Sequence, residues 1–175
     1  MAICSALSAG IAKSCSTNSG GIKKLYIADW ENVSSYTLSN GEITAISMVG
    51  STKFYEFQFN RNTSSFEESV NVSLENGTTF FTQTINLVLS RRDKLKREAI
   101  VKLAAGQKQL AIIALDSNGL YWFAGLTDGA ILTALAGGSG VAKGDQNAYV
   151  LTFTGEEPAP MPEVASGVIS AIVTI

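Results

Sequence analysis

The sequence predicts a mainly β protein: two packed antiparallel sheets, a sandwich or partly open barrel, with a long hairpin and one flanking α-helix. Three observations carry this. Residues 65–90, SFEESVNVSLENGTTFFTQTINLVLS, alternate apolar and polar side chains through two runs joined at Asn76-Gly77, the period of strands with one buried face. A single stretch, RRDKLKREAIVKLAA, is read as helical, with Leu95, Ala99 and Leu103 on one face and Ile100 beside it. Apolar residues make up 46% of the chain, charged residues 16%, and glycine fills 16 positions, a β-rich globular balance and not a disordered one.

A chain of 175 residues supplies one good core. Residues 1–22, rich in Ser, Gly and Ala, are expected to form a flexible arm ending in Asn18-Ser19-Gly20-Gly21, and residues 23–175 a single β-sandwich domain. KKLYIAD (23–29) reads as the first strand. Trp30 and a turn-rich segment follow, and Asn40-Gly41 marks a tight turn into EITAISM (42–48). In TKFYEFQFNR, alternation places Tyr55, Phe57, Phe59 and Arg61 on one face and Glu56, Gln58 and Asn60 on the other.

In the long hairpin, a two-residue type I′ turn at Asn76-Gly77 pairs Glu75 with Thr78. Val72 then faces Phe81, Val70 faces Gln83, Glu68 faces Ile85 and Phe66 faces Leu87. On the polar side Ser73 meets Phe80, Asn71 meets Thr82, Ser69 meets Thr84 and Glu67 meets Asn86. Both strands thus agree about which face is apolar, which a one-residue slip would destroy. Each arm spans roughly 35 Å at about 3.3 Å per residue.

Ser90 and Asp93 have the spacing of a capping box, and Gly106 stands where a helix C-terminus favours glycine. The helix carries six of the thirteen basic residues, as expected for the solvated face of an amphipathic helix lying on a sheet. KQLAIIALD (108–116), a Ser117-Asn118-Gly119 turn and LYWFAG (120–125) form a second hairpin apolar enough to be fully buried. AILTALA, the loop GGSGVAKGDQN (137–147), the strand YVLTFTGEE, a Pro-rich connector EPAPMPE and a last apolar strand VISAIVTI complete the chain.

The chemistry is narrowed by what is missing. Histidine is absent, and with it the commonest general base and metal ligand. Cys4 and Cys15 can form a disulfide or stand as two reduced thiols, and without a His partner they make neither a zinc site nor an activated nucleophile. GGSGVAKGD fails the phosphate-loop pattern, because Ala142 precedes Lys143 and Gly144 follows it. Asp145, Glu156 and Glu157 lack the spacing of a calcium loop. Glu67 and Glu68 are adjacent on a strand and point to opposite faces, so they cannot act as an acid/base pair. We therefore expect no enzyme and no cofactor. The net charge of -2 offers no basic stripe for nucleic acid. No segment is long and apolar enough to cross a membrane, and the N-terminus is a poor signal peptide, so synthesis and retention in a cytoplasm are expected. Glu68 and Gln83 fall on the apolar face, where a lone carboxylate is costly. Either a local hydrogen-bonded pair or a second chain covering the sheet explains them.

Three stretches, FYEFQFNRNTSSFEESVNVSLENGTTFFTQTINLVLS, RRDKLKREAIVKLAAG and LTFTGEEPAPMP, together resemble the phage major tail tube proteins, a group sharing its fold with the haemolysin-coregulated protein rings of type VI secretion. The resemblance covers residues 22–163. It implies a virion protein, assembled in the host cytoplasm into the tail, whose partners are copies of itself in a hexameric, stackable ring, other tail proteins, and DNA passing through the channel. Carried onto this chain, the lumen face would be Glu56, Gln58, Asn60, Glu67, Ser69, Asn71, Ser73, Thr82, Thr84 and Asn86. Glu68, Gln83, Lys143 and Asp145 would lie at subunit contacts. A single-ring connector or capsid-decorating protein fits the same fold, and an adhesive β-sandwich, with Trp30, Tyr121 and Trp122 as an aromatic site, is the remaining alternative.

Overall fold

Strands buried on both faces lie at the centre of one sheet, and strands buried mainly on one face lie at the centre of the other. In the computed structural model, which describes residues 9–174, the strands are β1 (Ile22–Asp29), β2 (Val33–Ser39), β3 (Glu42–Met48), β4 (Phe54–Phe57), β5 (Ser65–Ser73), β6 (Thr78–Ser90), β7 (Leu110–Asp116), β8 (Tyr121–Ala124), β9 (Ile131–Gly138), β10 (Ala148–Glu157), β11 (Glu163–Val164) and β12 (Val173–Thr174). Two helices, α1 (Lys94–Ala104) and α2 (Ser166–Ile172), lie among them. The larger sheet has the order β12-β4-β1-β7-β8-β11-β3-β2 and the smaller the order β5-β6-β10-β9. The chain is mainly β, built as the expected two-sheet sandwich, with the larger sheet curled into a half-barrel.

The continuous apolar runs of β1 and β7 explain their central place. Leu25 and Ile27 of β1 and Leu110, Ile112 and Ala114 of β7 face the smaller sheet, where Ile85, Leu87, Leu89, Leu151 and Phe153 meet them. Ile100 and Leu103 of α1 join this core at the flank. Tyr26, Ala28, Ala111 and Ile113 point the other way, into a second core with Ile43, Phe54, Phe123, Val164, Ile169 and Ile172. Each fully buried Leu, Ile or Phe contributes about 1.5–3 kcal/mol, so the two cores together hold the half-barrel closed from both sides.

The hairpin differs from the expected register. Ser73, not Glu75, pairs with Thr78, and the loop has four residues, Leu74 to Gly77, with Gly77 in the left-handed region at φ 64°. Val70 therefore faces Phe81, Glu68 faces Gln83, Phe66 faces Ile85, Ser69 faces Thr82 and Glu67 faces Thr84. The displacement is by two residues, so every side chain keeps its expected face.

Two termini of elements also differ. Ser90 is the last residue of β6, and Asp93 itself caps α1, its carboxylate accepting the Lys96 N–H at 2.8 Å. The C-terminal segment VISAIVTI is not one strand but α2 followed by the short β12, which pairs in parallel with β4. Val168, Ile169 and Ile172 share one helical face, and Ile169 and Ile172 are buried; tertiary packing thus overrides the β-branched character of the segment. At the other terminus, residues 9–20 form neither strand nor helix, and Asn18 and Ser19 dock on the β7–β8 turn through Asn118 at 2.9 Å each. Cys15 is exposed, while Cys4 and the start of the expected arm lie outside the described residues.

Candidate functional site

The alternation of β5 and β6 gives the smaller sheet an inner face against the core and an outer face that is polar over most of its length. The outer face gathers Glu67, Ser69, Asn71 and Ser73 from β5, Thr82, Thr84 and Asn86 from β6, and Thr152, Thr154 and Glu156 from β10. Its side chains bond across strands. Asn71 Nδ2 donates to Thr82 Oγ1 at 2.7 Å, Thr152 Oγ1 donates to Asn86 Oδ1 at 3.1 Å, and Thr133 Oγ1 of β9 lies 2.9 Å from Thr154 Oγ1. These ladders hold neutral groups in fixed positions at small individual energies. No lysine or arginine occurs in β5, β6, β9 or β10. The polar stretch ends toward Val88 and Val150, and Phe80 interrupts it opposite Asn71, three positions from the hairpin loop.

Seven of the ten residues expected on one polar face are thus brought together. Glu56, Gln58 and Asn60 are not among them. Glu56 sits on β4 of the other sheet, opposite Tyr26, with its side chain only 3% exposed. It accepts from Lys24 Nζ and from Gln58 Nε2, each at 3.1 Å, and this bond to Glu56 holds the Lys24 amine above its ordinary value. Asn60 lies beyond β4 in a connector, where its amide donates to Ser90 Oγ at 2.8 Å. The alternation of TKFYEFQFNR stops early because the chain leaves the larger sheet after Phe57 to cross to the smaller one.

Glu68 and Gln83 face each other on the inner side and hold the Pro-rich connector of their own chain. Gln83 is buried; its Oε1 accepts the Gly125 N–H at 3.0 Å and its Nε2 donates to Ala159 O at 3.4 Å. A Glu68 carboxylate oxygen accepts the Met161 N–H. Residues 158–162 are thereby strapped across the sheet, and a local explanation suffices for both polar side chains. Lys143 and Asp145 lie in the exposed β9–β10 loop. Asp145 Oδ2 accepts the N–H groups of Ala142 and Val141 at 2.8 Å each, and these backbone bonds hold its carboxyl below the usual Asp value.

Three buried polar residues were not anticipated. Glu157 binds the backbone N–H groups of Thr127 and Asp128 at 3.0–3.1 Å, fixing the β8–β9 connection to the end of β10. Its place was readable, since Tyr149, Leu151, Phe153 and Gly155 run in alternation into it. Asp116 closes the β7–β8 turn by accepting from Asn118 N, Leu120 N and Trp122 Nε1, a role signalled by the Asp-Ser-Asn-Gly run. Ser64, whose Oγ accepts the Val88 N–H at 3.1 Å, carries no such signal. Trp122 packs with Phe66 and Trp30 donates to Leu126 O, so these rings serve the packed interior.

The smaller sheet has two unpartnered edges, β5 and β9, and among the described residues no strand pairs with either outer side. Successive pairs are antiparallel, so β5 and β9 run in opposite directions. Among the described residues no cluster of potential metal ligands occurs, and no helix is long and apolar enough to cross a membrane. No protein-family model, curated protein or solved structure matches the chain.

Proposed function

We propose that the chain is a structural protein of a phage tail that assembles with copies of itself into a ring, or a stack of rings, around a channel for DNA. The observation that carries this reading is the smaller sheet, with its polar outer face free of basic residues and its two free edges of opposite direction. In a ring, β9 of one copy continues the sheet on β5 of the next with antiparallel pairing throughout. Such closure removes the exposed edges that otherwise template aggregation. Six copies, the number the resemblance implies, give a barrel of roughly 24 strands. At about 4.8 Å per strand and a tilt of roughly 40°, its backbone diameter is about 48 Å, wide enough for a DNA duplex with side chains lining the wall.

The outer face suits a sliding polyanion. Phosphate binding is driven by Lys and Arg and by counterion release, and this face presents hydroxyls, amides, Glu67 and Glu156 instead. Electron microscopy of the purified full-length chain tests the proposal. Rings with a central channel, or tubes built from them, are expected. A protein that stays monomeric at high concentration, alone and with tail-initiating proteins, overturns it.

A further inference from the structure

The two ends of the smaller sheet carry opposite charge. At one end β6 runs into α1 and the β9–β10 loop folds beside it, Arg91 N donating to Asn147 O at 2.7 Å. Arg91, Arg92, Lys94, Arg97 and Lys143 are all exposed there. The acids at this end are engaged: Asp93 caps α1 and binds Lys96, Asp145 binds its own loop, and Glu98 lies 3.8 Å from Lys94. At the opposite end lie the hairpin loop and the β8–β9 connection, which expose Glu75 and Asp128 and contain no basic residue. Lys102 and Lys108 line a groove with Asp29 and Glu31, and Lys108 is ion-paired to Asp29 at 2.7 Å.

β6 separates these ends by its 13 residues, roughly 40 Å at about 3.3 Å per residue. That is about five Debye lengths at physiological salt, so the ends cannot neutralise one another within one copy. Each end also exposes an apolar centre. Val141 stands fully exposed at the basic end, and Val70, Val72 and Leu74 are exposed at the acidic end. An apolar centre inside a charged rim is the anatomy of a protein interface.

We propose that the basic end of one copy seats on the acidic end of a second, Val141 against the underside of the hairpin, and that this head-to-tail contact stacks the rings. The contact is heterologous and translates along the strands, so it propagates without closing. It rests on the ring reading above and adds the faces, the polarity and the salt dependence of stacking.

Purified full-length protein is followed by sedimentation velocity and electron microscopy between 50 and 500 mM salt, about 14 to 4 Å of screening. Wild-type stacks shorten as salt rises. R97E/K143E and E75K/D128K each reverse the charge of two exposed side chains at one end, and these side chains bond to nothing else among the described residues. Each leaves rings intact and shortens stacks at low salt at least tenfold, and the four substitutions together restore stacking. Wild-type rings that never stack, a R97E/K143E protein that stacks like wild type, or a loss that E75K/D128K fails to repair each overturn this proposal alone. So does R97E/K143E abolishing binding of duplex DNA while stacking is unchanged, which would assign the basic end to nucleic acid. Wild-type protein that forms no rings overturns the ring reading itself.

Discussion

Gln83 is the polar residue on which the inner face of the smaller sheet depends most. It is buried among apolar neighbours, and its amide serves the backbone of two segments, Gly125 and Ala159. Replacement by leucine keeps the volume but leaves the Gly125 N–H and the Ala159 carbonyl without partners. An unsatisfied buried group costs about 1–3 kcal/mol, so Q83L is expected to lose about 2–4 kcal/mol, a fall in Tm of roughly 10 °C for a chain this size. Urea denaturation measures it, with S69A on the exposed face as a control expected within about 0.5 kcal/mol of wild type. A Q83L protein as stable as S69A would mean the strap is held by packing alone. The sequence identified Gln83 and Glu68 as anomalies by their parity but left their partner open. The connector that covers them is some 76 residues away from Gln83 along the chain, and no local pattern connects the two.

At the scale of elements, the hairpin separates what alternation determines from what it leaves open. Period-two patterning assigned each of its side chains to the correct face and is blind to a slip of two residues. Asn76-Gly77 pointed to a two-residue turn, yet it closes a four-residue loop, because that register sets Glu68 opposite Gln83, where both reach the strap. Asn40-Gly41 had no such competing demand, and there the tight turn and the strand Glu42–Met48 agree with the sequence reading. The C-terminal segment misled through its β-branched residues, although Val168, Ile169 and Ile172 already had helical spacing. Cysteine pairs test the register directly. Ser69 and Thr82 are direct cross-strand partners, within about 4.5–5.5 Å between Cα atoms, whereas the diagonal pair Ser69 and Thr84 stands about 7–8 Å apart. Under mild oxidation, with Cys4 and Cys15 replaced by serine, S69C/T82C is expected to form an intramolecular disulfide readily and S69C/T84C poorly. The reverse order, read by mass spectrometry, would restore the two-residue turn.

For the whole molecule, the distribution of basic residues matters more than their number. The outer face of the smaller sheet is clear of Lys and Arg across four strands, while seven of the thirteen basic residues lie at one end of that sheet and on α1. The composition hid this segregation, because a net charge of -2 averages over it. If the outer face lines a channel, placing lysines on it should convert a wall that releases DNA into one that holds it. Glu67 and Ser69 are exposed on β5 and bond to no other side chain among the described residues, so E67K/S69K should fold and assemble as wild type. Repetition around a ring brings many added charges to one lumen, and each phosphate neutralised steepens the fall of log affinity with log salt by about 0.9. Assembled E67K/S69K is therefore expected to retain duplex DNA at 50 mM salt and to lose it by 200 mM, while unassembled protein binds at least tenfold more weakly. Retention measured by co-sedimentation decides the matter. Rings of E67K/S69K that bind no more DNA than wild-type rings would place this face on the outside of the assembly.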